Sequence, residues 1–257
     1  MYILASDYDG TLRRGEGISD ADRAAISAFR KAGNRFGIVT GRGHSGFVRE
    51  LHRVDFSDYD FLICNNGAVL YDGDHLIRRH YCPGEVLDTL IPFIISVGGL
   101  YAAITVDQTH FLAIYGQNSG GIEGDGSGEE DFIHVHHLDR IRQFNQVDCN
   151  IGNETDAAEF AAQVNLRYGK WLAAFHNGTC VDIVPAGVSK PAGLREYLAF
   201  IGAKEGGRVL SVGDNFNDLG MLLEFDGYAI ASGRPEIVER VGRSCSDIAE
   251  LIGTLAK

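Results

Sequence analysis

Two aspartates at alternate positions, Asp7 and Asp9, stand directly after the apolar run Tyr2-Ile3-Leu4-Ala5. Bounded by Gly10, that run reads as a short buried strand, central in a parallel sheet. The carboxyl end of such a strand is where open α/β sheets bind ligands. Carboxylates crowded against a low-dielectric sheet need a cation or a proton to compensate them. Mg²⁺ suits the position, since it takes carboxylates together with water and phosphate oxygens. An Asp-rich turn after an edge strand, with Gly10 supplying only the bend, is the competing reading of these residues alone.

Three more groups fall where chemistry is expected. Thr40 follows an apolar stretch over 35–39 and offers a hydroxyl. Lys190 lies in Gly187-Val188-Ser189-Lys190 and offers a cation. Asp214 opens the run Asp214-Asn215-Phe216-Asn217-Asp218 after Gly213 and a strand pattern over 208–212.

The elements that must position these groups alternate in type. Ser19 and Asp22 form a capping box for a helix that Gly33 stops. Strands over 35–39 and 61–64 flank a helix over 44–53, a β-α-β-α-β run that requires a right-handed, mostly parallel sheet. Segments 68–70 and 75–79 extend it as a hairpin around Asp72-Gly73. The pattern then changes: a helix over 85–97, strands over 100–106, 110–115 and 147–151, a helix over 154–168 and strands over 171–175 and 179–184. Asn177-Gly178 is a hairpin signal between the last two, and the glycine-rich 116–128 reads as a loop. Strand pairs separated by helices indicate an α+β unit with an antiparallel sheet, placed at 82–184. The α/β pattern returns with a helix capped by Ser189, the strand into Gly213, a last strand over 228–231 and helices over 235–241 and 247–255.

Asp7-Tyr8-Asp9-Gly10-Thr11 resembles the first motif of the haloacid dehalogenase superfamily, and Thr40, Lys190 and Gly213–Asp218 match its later motifs in order. The insertion, the Asn66-Gly67-Ala68 turn and the Gly-Asp-Asn-x-Asn-Asp run resemble its type IIB, Cof-like sugar-phosphate phosphatases. The resemblance covers 1–81 and 185–257, with the insertion matched in size and strand pattern. It implies an α/β fold: a Rossmann-like parallel-sheet core with an inserted α+β cap domain. It further implies a phosphatase that hydrolyses a small phosphorylated metabolite through an aspartyl-phosphate. By this resemblance Asp7 is the nucleophile and Asp9 the general acid, then base, with a pKa raised by crowding carboxylates. Thr40 and Lys190 complete the catalytic set. The metal set is Asp7, Asp9 (through its backbone carbonyl), Asp214 and Asp218, holding Mg²⁺. Substrate contacts fall to Thr11, Gly41, Arg42, Asn66 and Asn217, with His176 and Asn177 from the insertion and the 116–128 loop as a second candidate. In three places the chain departs from the family: Pro191 after the lysine, Ser232 in the last strand-to-helix turn, and no Glu-Asp-Gly-Val run at the C-terminus.

A formal charge of −12 opposes nucleic acid and anionic membranes as partners, and obliges a phosphate substrate to find local positive charge. Five cysteines without a Cys-x-x-Cys pair read as reduced thiols of a cytoplasmic protein. Asp7 and Asp9 interrupt any leader-like apolar region, and the apolar run over 86–97 is too short to span a bilayer. The expected assembly is a monomer or small homo-oligomer. Gly41-x-Gly43-x-x-Gly46 offers an alternative, a nicotinamide-dependent oxidoreductase. That reading wants an acid at the end of the next strand, where Asn65-Asn66 stand instead. A phosphomutase of the same superfamily is a nearer alternative, and a non-catalytic sugar-phosphate sensor would not need all five groups. His134, His136 and His137 lack Cys or acidic partners at ligand spacing and read as exposed side chains.

Overall fold

The computed structural model describes residues 1–114, 131–203 and 208–255. The chain begins with β1 (Tyr2–Ser6), α1 (Asp20–Lys31), β2 (Arg35–Val39), α2 (His44–Arg53), β3 (Phe61–Cys64) and the hairpin β4 (Val69–Asp72) and β5 (His75–Arg79). Next come β6 (Cys82–Pro83), α3 (Leu87–Ser96), β7 (Tyr101–Val106), β8 (Thr109–Ile114), β9 (Asp131–His134), β10 (Gln143–Phe144), β11 (Gln146–Asn150), α4 (Glu154–Tyr168), β12 (Leu172–Asn177) and β13 (Cys180–Pro185). It closes with α5 (Lys190–Phe200), β14 (Arg208–Gly213), α6 (Leu219–Glu224), β15 (Gly227–Ile230), α7 (Pro235–Val241), β16 (Ser244–Cys245) and α8 (Ile248–Leu255).

Two compact units divide the chain: 1–41, 50–78 and 190–257 form the first, 42–49 and 79–189 the second. The first holds an eight-stranded sheet in the order β16-β15-β14-β1-β2-β3-β4-β5. β1 lies between β14 and β2, parallel to both, so it is the central strand that its apolar run predicts. The return strand β4 runs antiparallel to β3. Ile3, Leu4, Phe36, Ile38, Phe61, Ile63, Leu210 and Val212 are buried, which explains the near-continuous apolar strands: helices cover both faces of such a sheet.

Asp22 does more than the expected capping box. Its backbone N–H donates to Ser19 Oγ at 3.1 Å, but its buried carboxylate accepts from Ser19 Oγ, from Arg14 and from the Ala249 N–H. One side chain thus closes the start of α1 and the start of α8 together.

The second unit has a six-stranded sheet, β12-β13-β11-β7-β8-β9, antiparallel except where β9 joins β8. Alternation sorts its faces. Ala102, Ile104, Val147, Cys149, Val181 and Ile183 pack under α3 and α4, while Tyr101, Asp148, Asn150, Cys180 and Asp182 alternate with them on the other face. The hairpin turn is one residue later than its sequence signal: Asn177 still pairs with Cys180, and Gly178 takes the positive φ of 58°. Residues 116–128 lie outside the described residues. His136 and His137 are exposed in a 3₁₀ turn. Among the described residues, no helix is long and apolar enough to cross a membrane.

Candidate active site

Strand ends and one helix start deliver the central residues of the first unit. β1 ends at Ser6 and puts Asp7 next, its N–H donating to the Val212 carbonyl of β14 at 2.9 Å. β14 ends at Gly213 and puts Asp214 next. The two aspartates therefore emerge side by side from paired parallel strands, although 207 positions separate them in number. Lys190 begins α5, and its Nζ donates to Asp7 Oδ1 at 2.7 Å and Asp218 Oδ1 at 2.6 Å. Gly193, one turn on, admits the close approach of α5 to the Asn65–Gly67 turn, where a Cβ would stand 2.8 Å from the Gly67 Cα.

Asp7, Asp214 and Asp218 offer ligand oxygens that lie within 4.8 Å of one another. Lys190 is 1% exposed, so this is a buried constellation of three carboxylates and one cation. Burial raises the Asp7 pKa well above the usual carboxylate range, and the Asp218 charge adds to it against the pull of Lys190. Burial and Asp218 likewise raise Asp214. Burial works against the charge on Lys190, but Asp218 and Asp7 outweigh it and leave its pKa raised. The lysine stays charged, and the surplus is negative.

The acids are not equivalent. Asp218 Oδ1 is taken by Lys190, and its Oδ2 accepts the N–H groups of Asp214 and Asn215, both at 3.1 Å. It braces the turn after β14. Asp214 accepts Thr11 Oγ1 at 2.7 Å, so Thr11, expected among the substrate contacts, here orients a carboxylate. Gly10, at φ 84°, cannot be replaced without a Cβ overlapping the Asp214 carboxylate. A Cβ on Gly233 would stand 2.8 Å from that of Asp214, a constraint that no local pattern signals. Hard oxygen donors with excess negative charge are what Mg²⁺ requires, and Asp7 and Asp214 fit it best.

Asp9 stands apart from this cluster. Its carboxylate is 41% exposed and lies 3.7 Å from Arg13 Nη1. The carboxylate crowding expected at Asp9 falls on Asp7 and Asp214 instead, which lie with Asp218 in one group.

Thr40 is buried at the end of β2, its N–H on the Ile63 carbonyl at 2.8 Å and its own carbonyl accepting the Asn66 N–H at 3.0 Å. Gly41 follows it in the first unit, and Asn217 lies in the brace after β14. Asn65, given no site role by the sequence, is wholly buried at φ 52°, with neither side-chain amide atom hydrogen-bonded. Arg42, His176 and Asn177 belong to the second unit. Gly41–Gly46 does join a strand to a helix, but β3 ends at Cys64 and Asn65 follows it, without the acid a dinucleotide ribose needs.

Solved structures share the fold, three of them as follows. The subclass IIB sugar phosphatase BT4131 superposes with a TM-score of 0.82 at 18% identity, over 100% of this chain and 99% of that one. SMU.1108c from Streptococcus mutans gives 0.83 at 16% identity, over 99% of both chains. The phosphatase-superfamily protein BT1666 from Bacteroides thetaiotaomicron gives 0.78 at 20% identity, over 100% of this chain and 94% of that one. Among curated proteins, none matches by sequence. The sequence model of the haloacid dehalogenase-like hydrolases matches residues 4–247, from β1 to the start of the last helix. With that match spanning the strands that carry Asp7, Lys190 and Asp214, the chain belongs to the haloacid dehalogenase-like hydrolase family.

Proposed function

We propose that the protein is a Mg²⁺-dependent phosphatase acting on a small phosphorylated metabolite, a sugar phosphate by the likeness of its fold to a sugar phosphatase. The observation that carries the reading is the buried Lys190 bridging Asp7 and Asp218 beside Asp214. Phosphoryl transfer asks chiefly for in-line positioning and charge neutralisation. Mg²⁺, held by Asp7 and Asp214 with Asp218 behind them, supplies that neutralisation when bound.

Asp7 attacks phosphorus, and the bond from phosphorus to the leaving oxygen breaks as an aspartyl-phosphate forms. Asp9 gives its proton to that oxygen, then accepts one from the water that attacks the aspartyl-phosphate. Lys190 keeps the nucleophile oriented and faces the transferring group with positive charge. Thr40, Gly41 and Asn66, where β2 and β3 end, present donors to the phosphoryl oxygens. Asn217 serves as a further polar contact. In this reading residues 82–184 are the cap, and Arg42, His176 and Asn177 contact the leaving group.

Phosphate release from an aryl phosphate, measured with Mg²⁺ and again with EDTA, tests the proposal. Activity is expected to vanish with the chelator and return with added Mg²⁺. Equal rates under both conditions would remove the metal from the reaction.

A further inference from the structure

We propose that Arg13 is a positioning residue that holds the Asp9 carboxylate in place for proton exchange, with Glu50 of α2 holding Arg13 in turn. The inference rests on the phosphatase reading above.

Arg13 is clipped to the motif it serves. Its N–H donates to the Tyr8 carbonyl at 2.8 Å, and its carbonyl accepts the Gly10 N–H at 2.9 Å. The backbone of Arg13 is therefore fixed against the three residues that contain Asp9. From there its guanidinium reaches both ways: Nη1 is 3.7 Å from Asp9 Oδ1, and Nε is 3.4 Å from Glu50 Oε1. Glu50 is no loose surface acid. Its side chain is 11% exposed, and it accepts Arg53 Nε and Nη2, each at 2.9 Å, and the hydroxyl of the buried Tyr8 at 3.4 Å. Arg53, Glu50, Arg13 and Asp9 form a row of alternating charges that starts on a helix and ends on the acid.

The row answers a need set by the rest of the site. A proton donor must stand within hydrogen-bond reach of the leaving oxygen, and a displacement of about 1 Å costs on the order of 10²-fold in rate. Asp9 has a side chain 41% exposed and sits on a tight turn, two residues from Asp7. It lies outside the group formed by Asp7, Asp214 and Asp218. Arg13 places a fixed positive charge beside it. A surface ion pair contributes little to stability. Its value here is direction: the guanidinium draws the carboxylate away from the metal cluster and restricts its rotation.

The test separates proton donation from everything else the loop does. Phenyl, nitrophenyl and dinitrophenyl phosphate differ little in size, but phenolate needs a proton to leave and dinitrophenolate does not. kcat/KM reports events only up to the first irreversible step, so the later role of Asp9 as a base does not enter. Arg13→Met is expected to lower kcat/KM for phenyl phosphate by about 10-fold or more, against less than about twofold for dinitrophenyl phosphate. Arg13→Lys should recover part of the loss. Glu50→Gln, which keeps the shape of the side chain, should give the same split at smaller size, and decides the matter if Arg13→Met fails to fold. Equal losses across the three substrates, or none for phenyl phosphate, would overturn the assignment. Asp7→Asn run in parallel keeps the two claims apart, because wild-type rates in that variant would overturn the phosphatase reading itself.

Discussion

At the ends of β1 and β14 three carboxylates converge on Lys190, whereas on the sheet of the second unit Asp148 faces Asp182 across a ladder pair and accepts a hydrogen bond from Gln146. Both arrangements raise a carboxyl pKa, and in both burial is the largest cause, followed by a neighbouring aspartate. They differ in the compensating group. Asp7 has a buried ammonium, while the group that lowers the Asp148 pKa is a neutral amide. They differ also in geometry. Strand ends let acids from separate strands point into one space, whereas a ladder holds them directly opposite, where like charges repel. The first arrangement is suited to collecting a cation and a phosphate, and the second has no such convergence.

The largest test of that contrast replaces the proposed nucleophile. Asp7→Asn is expected to lower kcat by on the order of 10³-fold or more while phosphate-ester binding survives, read from single-turnover phosphate release. Asp148→Asn under the same assay should leave kcat on an aryl phosphate within about twofold, since the proposal gives its carboxylate no part in the reaction. A comparable loss in both variants would erase the distinction between the two clusters.

Lys190→Met comes next, with an effect on activity and on folding. Removing one partner of a buried ion pair leaves uncompensated charge and costs roughly 3–5 kcal/mol. Asp7 and Asp218 would both lose their donor. The variant should be inactive and melt several degrees below the wild type by circular dichroism. Unchanged melting would mean that Lys190 serves the reaction alone.

How much of this was legible beforehand depends on the range of the interaction. β1, β2, β3, α2 and α4 follow their apolar periods closely, because burial on one or both faces is written into consecutive residues. Asp7, Lys190 and Asp214 were legible because each sits in a local motif at a strand end or helix start. The bond from Thr11 to Asp214 spans 203 positions, and nothing near either residue announces it. The double duty of Asp218, braced to Lys190 and to two N–H groups, needs the folded turn to be seen. The Arg13–Glu50 contact joins a loop to a helix whose faces the sequence orients only approximately. β9 is four residues long and joins the sheet edge parallel to β8, too short a run for alternation to mark it out. The Asp148–Asp182 pair depends on register, which a slip of one residue would destroy.

A subtler test uses the metal. Asp214 has its pKa raised by burial and by Asp218, so its ionised form is costly when no cation is bound. Asp214→Asn keeps an acceptor for Thr11 and removes one of the three negative charges. Without metal, the variant should melt about 2–4 °C higher than the wild type, the shift expected of a small relief of strain in a chain of this size. Mg²⁺ should raise the wild-type melting temperature and leave the variant nearly unmoved, because binding to the native state stabilises by mass action. An equal Mg²⁺ shift in both proteins would take Asp214 out of the metal set.

The smallest effect lies in the second unit and is a matter of pH. The Asp148 pKa is raised in the folded protein, so the native state holds its proton to higher pH than the unfolded chain does. Stability from this residue is complete at pH values below the unfolded carboxylate range. It declines as pH rises through the raised native value, since the unfolded state has already released its proton and the native state must ionise against burial and Asp182. Asp7 and Asp214 shift in the same direction, so their contribution must first be suppressed with saturating Mg²⁺. Under that condition, Asp148→Asn should match the wild type in acid and melt about 2 °C above it at neutral pH. Asparagine at 148 can still accept from Gln146, so the comparison changes charge more than packing. If Mg²⁺ alone flattened the wild-type profile to that of the variant, the decline would belong wholly to the first unit. The ladder pair would then carry no separate electrostatic cost.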